Sequence, residues 1–276
     1  MDFTLKTYKE LLETFIANEY SLISYEKYLS EKIEGKFLII RHDVDEIASN
    51  ALKMAEIENT LGVKATYYFR IVKQSNHPEI IRKIVELGHE IGYHYEDLSF
   101  SKGVLDISKK TFDENLIYFR TYYPVKTVCM HGSSSSAYDN REFWKRYKLE
   151  DFGLIGEPYL TTDFNKIFYF TDTGYAWDGG KYSVRDVVEN KFGLKFHSSK
   201  QIMDAVQKGN FPQHNLMLAH TLWSDNIFQW ILLHLREFLR NNLKYMAQRN
   251  EFLKKIYASA VKAYWRTAPQ PPKGGV

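Results

Sequence analysis

The chain has 276 residues, of which 44% are apolar, so it can bury a sizeable core and wholesale disorder is excluded. The net charge of +3 is too small to indicate a nucleic-acid-binding protein. Cys129 is the single cysteine, which excludes a disulfide within the chain and fits a reducing compartment. The N-terminal residues lack the pattern of a signal peptide, and no run of about 18 apolar residues predicts a spanning helix. We therefore expect a cytoplasmic protein.

Strands and helices alternate along most of the chain. An apolar, β-branched run at 37–42 (FLIIRH) predicts a buried strand, and the helix predicted at 46–61 ends where Gly62 provides a C-cap. The further elements predicted in chain order are a strand at 65–69, a helix from Pro78 to Gly88, a strand at 90–94, a helix at 107–122, a strand at 126–131, a weaker strand at 167–171, a helix at 200–208 capped by Ser198 or Ser199, and a strand at 215–220. This alternation with short connections predicts parallel strands covered by helices.

The C-terminal part has a different character. Residues 225–265 are strongly helical in pattern, and the stretch from Arg236 to Arg266 holds eight Lys and Arg against two Glu. A basic helix of this kind is usually a solvated face, but it can also hold a phosphate-bearing substrate or make peripheral contact with a membrane. We expect a barrel over 1–224, a helical extension packed on it over 225–266, and a disordered tail over 267–276.

Four predicted strands end in residues that can bind a metal ion. These residues are, in chain order, Asp43, Asp45, His94, Glu96, Asp97, His131 and His220. The C-terminal ends of the strands meet at one face of a parallel α/β barrel, so a single site is expected. On an extended chain Asp43 and Asp45 point to the same side, and two like charges so close favour a cation between them. A divalent metal ion, most simply zinc, meets that need. Alternatively, Asp45 caps the helix that follows.

At these residues the sequence resembles the polysaccharide deacetylase superfamily, also called the NodB-homology or carbohydrate esterase family 4 group. The similar segments are, in order, FLIIRHDVD, ATYYFR, ELGHEIGYHYEDLSF, FTDTGYAW and LMLAHTLW. The resemblance covers about residues 5–225, and the N-terminal stretch resembles a cytoplasmic branch associated with bacterial surface-polysaccharide biosynthesis. It implies an α/β fold, a distorted (β/α)7 barrel, here with a C-terminal helical extension.

The resemblance also implies roles for individual residues. Asp43 matches the general base, which takes a proton from the attacking water, and His220 matches the general acid. Asp172 would orient His220, as the third member of a catalytic triad orients its imidazole. Asp45 and His94 match two metal ligands.

The sequence departs from the family pattern at the second metal histidine. That position, four residues after His94, is Leu98, which cannot bind a metal ion. We expect Glu96 to complete the metal shell, with Asp97 or His131 as alternatives. The residues expected to contact the substrate are His131, Gly132, Ser133, Arg70, Trp177 and Trp223. A surface role is an equal alternative for Arg70. A core role is an equal alternative for each of the two tryptophans.

The function that follows is a metal-dependent amide hydrolase. It would remove an acetyl or formyl group from an N-acylated amino sugar in polysaccharide biosynthesis. A cytoplasmic location favours a nucleotide-linked or lipid-linked sugar as the substrate. Two alternatives stay open: a non-catalytic sugar-binding or assembly protein that retains the barrel, and a hydrolase of a non-sugar amide.

Overall fold

A computed structural model describes residues 1–132, 136–177, 188–189, 191–249 and 259. The strands in these residues are β1 (Ser21–Ile23), β2 (Phe37–Val44), β3 (Thr66–Phe69), β4 (Glu90–Tyr95), β5 (Val128–Met130), β6 (Phe168–Thr171) and β7 (His214–Leu218). The helices are α1 (Leu5–Ala17), α2 (Tyr25–Ser30), α3 (Ala48–Thr60), α4 (Pro78–Glu86), α5 (Asp97–Phe100), α6 (Leu105–Arg120), α7 (Pro158–Thr161), α8 (Ser199–Gln207) and α9 (Ile227–Arg249). Short 3-10 helices lie at Asn140–Lys145 and Leu149–Phe152.

The described strands form one parallel sheet in the order β5-β4-β3-β2-β7-β6. β1 pairs with the first half of β2, where Ser21 faces Phe37, and β3 pairs with its second half, where Tyr68 faces Asp43. The edge strands β5 and β6 are not paired with each other within the described residues. The fold is therefore α/β, a distorted and open (β/α) barrel, and the predicted fold class is confirmed.

The two faces of the sheet have different roles. Because successive side chains of a strand alternate, β2 directs Ile40 into the core beneath the outer helices, where Met54 of α3 and Phe112 of α6 also lie. Its other face carries Ile39, which packs with Tyr25 of α2. Farther along β2, the face that carries Ile39 carries charged side chains instead. This face lines the inside of the barrel, so a polar site can form there.

Two local features differ from the sequence interpretation. No element is predicted before residue 37, whereas α1 buries five apolar side chains and is capped by Thr4, whose hydroxyl accepts from the Thr7 amide. The N-cap of α3 is Ile47, at φ 55°, and no side chain caps the helix there. Asp45 is therefore not used as a helix cap.

Helix α9 falls in the predicted extension 225–266. It is anchored to the rest of the chain by polar contacts: Trp230 donates to the Asp2 carbonyl (2.8 Å), and Asn241 donates to the Gly174 carbonyl (3.1 Å). The division into barrel and extension stays a prediction, and the predicted tail at 267–276 lies outside the described residues. Among the described helices, none combines the length and apolar character needed to cross a bilayer.

Candidate metal centre and active site

Three metal-binding side chains converge where β2, β4 and β5 end. The Oδ1 atom of Asp45 lies 3.4 Å from Nε2 of His94 and 3.6 Å from Nε2 of His131. The other ring nitrogens are already bonded: Nδ1 of His94 to the Cys129 carbonyl (3.0 Å) and Nδ1 of His131 to Glu96 (2.8 Å). Since both partners are acceptors, each Nδ1 carries the proton and each Nε2 is left to bind a cation.

The distances from Asp45 to the two imidazoles suit ligands of one divalent metal ion. Two ligands bound to zinc at about 2.1 Å in tetrahedral geometry lie roughly 3.4 Å from each other. The distances from Asp45 to the two imidazoles match that value. The Asp45 Oδ1 atom is buried and accepts no hydrogen bond among the described residues, which is costly for a carboxylate unless a cation is bound. We call Asp45, His94 and His131 the metal triad.

Glu96 lies behind the triad rather than in it. One of its oxygens accepts from Arg70 Nε (2.7 Å) and the other from Nδ1 of His131 (2.8 Å). Burial raises the pKa of Glu96, but the charge of Arg70 and the hydrogen bonds from His131 and Arg70 outweigh burial and lower the pKa to about 2. The side chain is thus an anion that fixes the ring of His131, as carboxylates next to metal-bound histidines do. Of the residues considered for the third ligand, His131 is the one that faces Asp45 and His94.

Asp97, the other alternative ligand, is occupied elsewhere. Its carboxylate accepts from the Tyr93 hydroxyl (2.7 Å) and from Asn115 (3.0 Å). Burial raises the pKa of Asp97 to about 7. These bonds place it in the core beside α6.

A second group of ligand-type atoms overlaps the triad. Within the described residues, side-chain atoms of Asp43, His94 and Cys129 all lie within 4.8 Å of one another, so this buried group could hold a metal ion. However, the guanidinium of Arg41 donates to Cys129 Sγ (2.9 Å) and to Asp43 (3.4 Å). A permanent cation in contact with two of the three ligands disfavours another cation there. The metal triad is therefore the better site.

Asp43 is positioned to accept a proton beside the triad. Its side chain is buried, and its Oδ2 atom lies 3.7 Å from Nε2 of His94. Arg41 holds this same oxygen, and Tyr159 in turn accepts from Arg41 (2.7 Å). The Oδ1 atom of Asp43 accepts no hydrogen bond from any described residue. One oxygen is thus fixed and the other is available as a base.

Arg41 is a functional residue that sequence reasoning missed. It is fully buried, although it lies in the middle of an apolar strand. A buried arginine is almost always paired, so its presence in FLIIRHD was the available signal. Arg70, for which substrate contact or a surface role is expected, pairs with Glu96.

His220 and Asp172 form a hydrogen-bonded pair at the ends of β7 and β6. Nδ1 of His220 lies 2.7 Å from Asp172, which also accepts from the His220 amide (2.9 Å) and from Nε1 of Trp223 (2.6 Å). Burial alone would lower the pKa of His220, but Asp172, with smaller effects of Asp45 and Asp43, raises it to about 10. The imidazole is therefore protonated at neutral pH and can act as a general acid.

A buried network behind the sheet joins the strands that carry the base and the acid. His42, next to Asp43, bonds to the carbonyl of Ala219 (2.8 Å), the residue before His220, and to Glu58 (2.7 Å). Each ring nitrogen of His42 thus has a partner. It thereby ties the end of β2 to the end of β7.

The other residues expected to contact substrate have varied positions. Trp177 and Trp223 are 2% and 1% exposed and pack in the core, so neither offers a ring face for sugar stacking. Trp223 instead holds Asp172. Gly132 directly follows the triad histidine and is half-buried. Ser133 lies outside the described residues.

Comparisons with known proteins add little to this geometry. No protein-family model matches the sequence, and no curated protein matches it. One similar solved structure is the Xyl-CE4 domain of a multidomain xylanase from the hindgut metagenome of Trinervitermes trinervoides. That chain is 14% identical, the match covers 76% of the present chain and 85% of the other, and the TM-score is 0.34. At this level of similarity, the assignment of a function depends on the site itself.

Proposed function

We propose that this protein is a metal-dependent amide hydrolase that removes an acyl group from an N-acylated amino sugar. One observation carries the proposal: beside the metal triad lies a buried carboxylate with an available oxygen, Asp43, and the protonated imidazole of His220 is near enough for Asp45 and Asp43 to raise its pKa. Amide hydrolysis needs both, because water is a weak nucleophile and an amine leaves poorly until it is protonated.

The ligand set supports zinc as the ion. Two imidazole nitrogens and one carboxylate oxygen form a common catalytic zinc shell that leaves room for water and substrate. When bound, such an ion polarises the substrate carbonyl and lowers the pKa of the attacking water. With His131 as the second imidazole ligand, the leucine at position 98 does not argue for the non-catalytic alternative.

The protein's own residues would divide the proton transfers between them. Oδ1 of Asp43 accepts a proton from the attacking water while Arg41 holds Oδ2 in place. Nε2 of His220 donates a proton to the leaving amine, and Asp172 stabilises the imidazolium through Nδ1. Glu96 keeps the ring of His131 in its orientation throughout.

The choice of substrate rests on the ordered motifs from Asp43 to His220, which resemble those of polysaccharide deacetylases. Within that class we favour an acetyl or formyl group on a nucleotide-linked or lipid-linked sugar, used in cytoplasmic polysaccharide synthesis. A hydrolase of a non-sugar amide would use the same proton transfers. Release of acetate from acetylated amino sugars, compared with turnover of ureides, distinguishes the two substrates.

The roles are tested with purified protein whose metal content is measured by mass spectrometry. We expect Asp43→Asn and His220→Ala each to lower kcat at least about 100-fold while the metal content is unchanged. Asp45→Asn should lose both the metal and the activity. His197→Ala, an exposed histidine outside the site, is the matched control and should behave as wild type. A wild-type protein that binds no zinc, or full activity in Asp43→Asn, would contradict the proposal.

A further inference from the structure

Helix α9 has its amphipathic character reversed. The face against the rest of the protein includes Leu233, Glu237 and Asn241, all buried, and two of these three side chains are polar. Over 227–242, where the side chains of α9 are described, the exposed large apolar residues are Ile227 (45%), Phe228 (81%), Ile231 (44%), Leu232 (68%), Leu235 (56%), Phe238 (65%) and Leu239 (61%). A helix of a monomeric protein normally faces its apolar side inward. We call these seven residues the α9 stripe.

The stripe has the geometry of a helix-pairing seam. At 3.6 residues per turn, its members fall within roughly 140° of the helix circumference. Phe228, Ile231, Leu235 and Phe238 follow one another at alternating spacings of three and four, the spacing that lets two helices pack along a common seam. Asn242 occupies the next position, where polar residues set the register of paired helices.

The size of the stripe matches what a stable dimer needs. If a fully exposed large side chain offers about 200 Å², the exposed parts of the seven residues amount to roughly 800 Å². This is about the area that each partner contributes to a protein interface of standard size. It also exceeds the roughly 300–600 Å² of the largest apolar patch on a typical monomer.

The charges around the stripe favour a protein partner over an anionic membrane. No charged residue lies within it, and among the described side chains the two arginines beside it are both paired: Arg236 with Glu46 (2.7 Å) and Glu237 (3.2 Å), and Arg240 with Glu237 (3.4 Å). Helices that lie in a membrane interface present free Lys and Arg beside their apolar face. An uncharged, self-complementary seam fits a second copy of the same chain.

We propose that the protein is a homodimer in which two α9 helices pack along their stripes about a twofold axis. The Arg236–Glu46 pair joins α9 to the residue that follows Asp45, so the interface would lie next to the metal centre. The proposal does not depend on the enzymatic function, because it rests on the stripe alone.

Multi-angle light scattering on the full-length protein tests this interface. We expect the wild type to have about twice the chain mass of 32.5 kDa, and Leu235→Glu and Phe238→Glu each to run as monomers. Both positions are solvent-exposed in the single chain, so the substituted chains should fold, as circular dichroism would verify. Ile117→Glu is the matched control, since Ile117 is 64% exposed on α6, and it should remain dimeric.

Two results would overturn the proposal. One is a wild type that stays monomeric over a wide range of protein concentration. If that monomer also sediments with vesicles of anionic lipid, the stripe is assigned to a membrane surface. The other is a dimer that persists in both glutamate variants, which would place the interface elsewhere.

Discussion

A buried imidazole keeps its proton only when a nearby charge compensates for the loss of water, and for His220 that charge is Asp172. Two donors besides the imidazole, the His220 amide and the Trp223 indole, hold the Asp172 carboxylate in place. The carboxylate therefore both orients the ring and raises its pKa. A general acid must be protonated to act, so activity should persist until the pH approaches the raised pKa of about 10 and fall above it.

Asp172→Asn should move this alkaline limit to lower pH. The neutral amide retains a hydrogen-bond acceptor but removes the largest contribution that raises the pKa of His220. We expect kcat at neutral pH to fall at least about 100-fold, and the alkaline limb of its pH profile to shift downward. The pH dependence of kcat, measured on protein with full metal content, checks this. An unchanged alkaline limb would mean that His220 is not the acid.

At the residue scale, local pattern predicted the catalytic aspartates but not their partners. Two-residue spacing on a strand is enough to place Asp43 and Asp45 together. The choice between Glu96 and His131 as ligand depends instead on Arg70, which lies 26 residues away in sequence and neutralises Glu96. Burial of Trp177 and Trp223 likewise depends on packing between distant elements. Such nonlocal facts cannot be read from spacing.

Among the elements, β4 is held to its neighbours by Glu90, a buried glutamate at its first residue. Glu90 accepts hydrogen bonds from Thr66 on β3 (2.6 Å), from Thr127 just before β5, and from the Glu26 amide of α2 (2.8 Å). Burial raises the pKa of Glu90 to about 7, although these hydrogen bonds oppose the rise. In the unfolded chain a glutamate has a pKa near 4.3, so folding favours the protonated form.

Glu90→Gln should therefore change how stability depends on pH. A raised folded-state pKa gives stability that is present below the unfolded pKa and is lost as pH rises through the folded pKa. The wild type should lose about 3 kcal/mol relative to the variant between pH 4 and pH 7.5, at 1.36 kcal/mol per pKa unit. Urea unfolding at several pH values measures this difference. The exposed Glu34→Gln control should follow the wild type, and a pH-independent difference for Glu90→Gln would refute the argument.

Element order was predictable because periodicity and turn residues are local. The strands from β2 onward begin within about two residues of their predicted positions, as do the helices α3, α4, α6 and α8. The N-terminal helix α1 was missed even though its apolar spacing is helical and Thr4 caps it. Helix α9 was predicted, but its reversed orientation was not, because amphipathic spacing does not tell which face is covered.

For the molecule as a whole, the metal triad brings together the ends of three strands of a sheet whose edge strands, within the described residues, do not pair with each other. Asp45 follows β2, His94 lies on β4, and His131 follows β5, which is an edge strand. An ion that binds these residues only in the folded state adds its binding free energy to the stability of the fold. The metal should thus stabilise the arrangement of β2, β4 and β5.

Zinc should therefore raise the melting temperature, and the size of the effect should reveal the ligands. At a free zinc concentration 100 times the Kd, the stabilisation is about 2.7 kcal/mol, and at roughly 2–4 °C per kcal/mol for a long chain this is a shift of roughly 5–10 °C. Asp45→Asn and His131→Ala should abolish the shift. Glu96→Gln should keep it but need about 10–100 times more zinc, because only the orientation of His131 is weakened. The melting temperature of the wild type and of each of the three variants, treated with chelator and then measured at increasing zinc concentrations, checks these expectations. If His131→Ala kept the shift and Glu96→Gln lost it, Glu96 would be the third ligand.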